Sequence, residues 1–68
     1  MTELIYHIER NSLDSTGTWE RYLGAFASVP EARNQLLAYT RAIKVPAKWR
    51  IVEDNGYDWY TVQELTTA

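Results

Sequence analysis

The strongest local signal in the chain is a helix start at Ser28-Val-Pro-Glu31, and its central position constrains everything around it. Ser28 is placed to cap the first turn, and Glu31, three residues on, completes a capping box. Pro30 is tolerated there because its missing N–H has no acceptor in the first turn of a helix. Val29, Ala32, Leu36, Tyr39, Thr40 and Ile43 then fall on one stripe at helical spacing. Arg41 and Lys44 lie in the last turn, where the helix dipole favours cations. Val45-Pro46 stops the run, because the residue before proline is pushed out of the helical region. The pattern predicts one helix over 29–44, with β-patterned chain on either side.

The flanking segments alternate at period two. Over Glu3–Arg10, Leu4, Tyr6 and Ile8 alternate with Ile5, His7 and Glu9. A polar stretch with turn chemistry, 11–17, leads to a second strand over Thr18–Ala27. Neither face of that strand is cleanly polar, and a bulge near Gly24 is one way to switch it. After the helix, Lys48–Glu53 and Tyr57–Leu65 read as strands around Asn55-Gly56, a dipeptide that favours tight hairpins because both residues tolerate positive φ. A two-residue loop would set Val52 opposite Trp59, Ile51 opposite Tyr60 and Trp49 opposite Val62. It would also set Glu53 against Asp58, a like-charge pair that a three-residue loop avoids.

The predicted fold is therefore α+β: a four-stranded antiparallel sheet from the element order β-β-α-β-β, with one helix packed on one face. All 68 residues fit one small domain. Its predicted core is Leu4, Tyr6, Ile8, Leu23, Val29, Ala32, Leu36, Tyr39, Ile43, Trp49, Ile51, Tyr60 and Val62. A single helix covers one side of a sheet. Ile5, His7, Arg50, Val52, Trp59 and Thr61 then fall on the other, together with one face of the second strand. That mixture is too apolar for an idle surface and not apolar enough for a full core.

The residue inventory excludes much chemistry. With no Cys there are no disulfides, zinc–thiolate sites or thiol nucleophiles. His7 is the only imidazole available to activate a nucleophile, and it reads as a strand histidine at a sheet surface. Glu53, Asp54 and Asp58 gather at the hairpin tip without the spacing of a calcium loop. The three glycines are isolated, so no phosphate-cradling loop is present. The expectation is a protein that is not an enzyme and needs no cofactor or metal. Met-Thr-Glu-Leu-Ile has neither the basic region nor the apolar run of a signal peptide, and no apolar run approaches the ~18 residues of a membrane span. A cytoplasmic protein without membrane contact is expected.

Charge is unevenly distributed. Residues 32–52 carry Arg33, Arg41, Lys44, Lys48 and Arg50 and no acid, whereas the chain as a whole has a net charge of −2. On the helix wheel Arg33, Leu37, Arg41 and Lys44 share the shoulder away from the core stripe. This shoulder reads either as an ordinary solvated helix face or as a contact surface. In the second reading it is continued by Lys48 and Arg50 and bordered by Trp59, since Trp and Arg are enriched in binding hot spots.

The layout resembles that of small phage- and mobile-element-encoded proteins, anti-CRISPR inhibitors among them. The shared features are a strand beginning almost at Met1, a Ser-x-x-Glu-Ala helix start (Ser28 to Ala32) and an Arg-Ile-Val-Glu hairpin strand (Arg50 to Glu53). The resemblance is architectural and covers most of the chain. It implies a non-enzymatic inhibitor, acting in a host cytoplasm, that docks on a larger host protein or nucleoprotein complex. That class has no shared motif, so no functional residue is carried over from it. Two other readings stand beside this one. One is a small accessory protein contacting nucleic acid through the basic segment, although an isoelectric point near 5.2 argues against it. The other is a homodimer formed through the outer sheet face.

Overall fold

The computed structural model describes residues 4–11, 17–44 and 46–67. The elements run β1 (Ile5–Asn11), β2 (Glu20–Phe26), α1 (Val29–Ala42), β3 (Ala47–Asp54) and β4 (Trp59–Thr67). They form one antiparallel sheet of order β2-β1-β3-β4, so β1 and β3 are central and β2 and β4 are the edges. This is the α+β architecture expected. Residue 3, at the expected start of the first strand, lies outside the described residues, as do 12–16 of the polar stretch and Val45.

The capping signal operates with one adjustment. Ser28 Oγ accepts the Glu31 N–H at 3.4 Å, while the Glu31 carboxylate reaches one residue further back and accepts the Ala27 N–H at 3.1 Å. The helix ends two residues before the expected Lys44. Ile43 is already extended (φ −115°, ψ 105°), its N–H held by Tyr39 O at 2.8 Å. The chain must leave the helix here to reach the start of β3 beyond Pro46. That departure turns Ile43 out of the core, and it is 43% exposed.

The helix lies over β1, β2 and β3 rather than over β4. Ala32 and Leu36 drive into Ile8, Ala47, Trp49 and Ile51, flanked by Tyr6, Leu23, Phe26, Val29, Tyr39 and Leu65. Further along, Tyr39, Tyr22 and Trp49 stand edge to face with centroids 5.1–5.6 Å apart, and the Tyr22 and Tyr39 hydroxyls hydrogen-bond each other. These contacts fix the C-terminal half of the helix to the β2 edge. Four expected core residues are exposed: Leu4 precedes β1 at the sheet end, Ile43 follows the helix, and Tyr60 and Val62 lie on the strand that the helix leaves uncovered.

The hairpin differs from both loops considered. Asp54 pairs with Trp59, which leaves the four residues 55–58 as the loop. Side chains organise it. Asn55 Oδ1 accepts the Tyr57 and Asp58 N–H groups at 2.8 Å, and Asp54 Oδ1 accepts the Gly56 N–H at 2.8 Å. Such Asx turns compete with the two-residue turn for the same backbone. Gly56 supplies the left-handed residue at φ 91°. Glu53 thereby pairs with Tyr60 and avoids Asp58. The slip relative to the two-residue loop is two residues, so Trp59 keeps its expected face. A bulge at Val62 then reverses the alternation, and Leu65 takes the place beside Trp49 intended for Val62.

Strand β2 carries two irregularities in its pairing with β1, at Tyr22 and at Ala25. They resolve its ambiguous faces. Tyr22, Leu23 and Phe26 turn toward the helix, whereas Arg21 and Gly24 face the other way, opposite Glu9 and His7. The irregularity at Ala25 is a bulge of the kind the sequence allowed near Gly24.

Candidate interaction face

The sheet face away from the helix contains the most unusual feature of the fold. His7, Glu9 and Asn11, successive outward residues of β1, are 2%, 4% and 8% exposed, although the helix lies on the opposite face. Ionisable side chains are seldom buried so deeply unless paired. Two tryptophans and two arginines enclose them. Trp59 reaches inward from the β4 edge, past the buried Val52, to meet the His7 ring edge-on at 5.1 Å. The Arg21 guanidinium, from β2, lies 5.6 Å from the centroid of the same indole. At the other end Arg50 stacks over Trp19 at 4.5 Å, while its Nε donates to Glu9 Oε1 at 2.7 Å. Glu9 thus joins the two halves: Oε1 is taken by Arg50, and Oε2 faces His7 Nε2 at 3.5 Å.

That distance is too long for a good hydrogen bond, and His7 Nε2 is buried without a partner. Burial lowers the His7 pKa below its ordinary 6.5, and the nearby Arg21 adds to the effect; Glu9 and Asp54 oppose it. Gly24 explains how the ring fits. A Cβ at Gly24 would stand 3.0 Å from His7 Cβ, so a side chain there would have to push the histidine stem aside by a few tenths of an ångström. A shallow groove of about 470 Å³ runs past the ring between Ile5, Arg21, Gly24 and Asp54.

The lowered pKa makes stability depend on pH. The unfolded chain takes the imidazole proton near 6.5, before the folded chain does. Stability from this group is therefore complete above about pH 6.5 and is lost as the pH falls from there through the folded value. Urea midpoints between pH 7.5 and 5 are expected to decline in wild type and to stay nearly level in His7→Gln. A slope that survives the substitution would assign the effect to other groups.

The candidate residues from the sequence separate onto two surfaces. Arg33, Arg41 and Lys44 are exposed on and just beyond the helix. Leu37, expected to be exposed among them, is half-buried. Lys48 and Arg50 alternate with the core residues Trp49 and Ile51, so they belong to the opposite face, which Trp59 shares. The patch drawn from helix to strand is thus two patches, one on each side of the sheet. On the open face Arg21 and Arg50 both stand opposite Glu9, and Arg50 also stands opposite Glu64. His7, Glu9, Trp19 and Arg21 were not among the candidates. The available signal was spacing: residues two apart on a strand share a face, as His7 and Glu9 do on β1.

Among the described residues no cluster of three His, Asp or Glu side chains is placed to hold a metal ion, and no helix is long and apolar enough to cross a membrane. Comparison with protein-family models, curated proteins and solved structures gave no match. The likeness to anti-CRISPR proteins accordingly rests on the layout of the sequence alone.

Proposed function

We propose that this chain is a non-catalytic binding protein, an inhibitor of the anti-CRISPR type, which docks its open sheet face on a larger host protein or nucleoprotein complex and blocks it. The observation that carries this reading is Trp59. A 56% exposed indole is braced between His7 and Arg21, on a face whose other prominent side chains are Trp19 and Arg50. Large rigid rings and arginines combine apolar area with hydrogen-bonding capacity, which is why they dominate interface hot spots. Internal pairing of the charges suits a protein surface, since interface centres are depleted in free charge. It suits a phosphate backbone poorly, because Arg50 already holds Glu9 and has no net charge to offer. His7 contributes to the shape of the face: its ring is closed over by Trp59 and is not presented to a substrate.

The exposed cations Arg33 and Arg41 on the helix, with Lys44 just beyond it, favour the second reading, contact with nucleic acid. Capture of the target from a host lysate separates the two. Trp59→Ala is expected to weaken capture by about 2 kcal/mol or more, roughly 30-fold. Charge reversal at Arg41 and Lys44 is expected to leave capture unchanged. Capture that survives Trp59→Ala but fails on charge reversal, with DNA binding that collapses as salt rises, would transfer the function to the helix. A stable dimer in sedimentation that dissociates on Trp59→Ala would assign the open face to self-association.

A further inference from the structure

We propose that Trp59 is a cover that opens when His7 takes a proton, so that acidification disassembles the open face. The proposal deepens the docking reading, naming the regulation of the same surface. It stands on how the ring is enclosed. At 2% exposure the imidazole is enclosed by Trp59, which meets its ring, by Arg21, which lines the same groove, and by Gly24 against its Cβ, so it reaches solvent when one of these moves. Gly24 belongs to backbone paired with β1, whereas Trp59 is the first residue of an edge strand, next to the hairpin loop, and is already half in water. Trp59, with the exposed Arg21 stacked on it, is therefore the part that yields.

The charged groups facing the ring set its response to a proton. Arg21 from β2 stacks on Trp59 and lines the same groove as His7, so a cation at His7 repels it. Glu9 on β1 and Asp54 on β3 attract that cation. Arg50 on β3 already occupies Glu9 Oε1, leaving Oε2 as the acceptor for a protonated Nε2. An imidazolium thus disfavours Arg21 in its place over Trp59 and draws Glu9 toward itself. The open arrangement, with its ring in water, binds the proton more readily than the closed one, and by linkage acid populates the open form.

The test is an NMR titration of the isolated protein from pH 7.5 to 5, following the His7 ring and the Trp59 indole N–H. One shared midpoint below the ordinary 6.5 is expected for both, while the core amides of Ala32 and Leu36 stay in place. In His7→Gln the Trp59 step should vanish. Should that variant not fold, Glu9→Gln serves: removing the carboxylate that favours the cation should move the midpoint lower. A stationary Trp59 while His7 titrates overturns the proposal. So does a Trp59 step that persists without His7, a midpoint indifferent to Glu9→Gln, or global unfolding before His7 titrates. No partner is present in this experiment, so its failure is distinct from the failure of Trp59→Ala to weaken capture.

Discussion

Trp49→Ala is expected to remove a large part of the folding stability. The indole is 1% exposed on the central strand β3, under the helix, and meets both Tyr22 and Tyr39 edge-on. Its Nε1 donates to Thr67 Oγ1 at 3.2 Å, which ties the end of β4 to the core. Truncating a buried tryptophan costs about 3–5 kcal/mol. A domain of this length has about 3–10 kcal/mol in total. The loss therefore takes from about a third to all of the margin, and urea unfolding followed by circular dichroism should show an early or absent transition. Trp49→Phe keeps a ring against the two tyrosines and gives up the indole donor, so it should fall between wild type and alanine. A wild-type midpoint for Trp49→Ala would mean that the aromatic cluster does not hold the helix to the sheet.

The second large effect is expected at Leu36. It is 3% exposed and, with Ala32, forms the buried ridge of the helix. Leu36→Ala should cost about 2–5 kcal/mol through lost transfer energy and the cavity left behind. Leu37, the next residue, is half-buried and has its carbonyl bonded by Thr40 Oγ1 at 3.2 Å. Leu37→Ala is the internal control and should cost clearly less. A reversed order, with Leu37 the more costly, would mean that the helix is rotated by one residue from the orientation described.

Both residues were legible as core from periodicity, and so was the architecture around them. Ser28, Pro30 and Glu31 act within a few residues of one another, and the chemistry of a cap or a first turn is readable at that range. What failed to show depends on competition or on distant chain. Asn55-Gly56 favours a tight turn, yet the side chains of Asp54 and Asn55 bond enough loop N–H groups to hold a wider one. Tyr60 and Val62 alternate as core residues should, but the position of the helix decides which strands it covers. The open face was harder still. Arg50 and Trp59 could be placed on it from alternation. That His7 and Glu9 would lie buried beneath Trp59 depends on a side chain reaching inward from an edge strand to a central one, which no local pattern records.

The two edges of the sheet are not equivalent, and this limits what the molecule can assemble into. Strand β2 twice loses register with its neighbour and carries Glu20 and Arg21 at its start, features that spoil a template for a further strand. Strand β4 runs in regular pairing from Gln63 to Thr67, with Glu64 as its one charged residue. Among the described strands, β4 is thus the better template for an incoming strand. Pairing of two copies edge to edge through β4 uses the same surface on both and leaves a β2 strand at each outer end. Growth by this pairing would close at two copies.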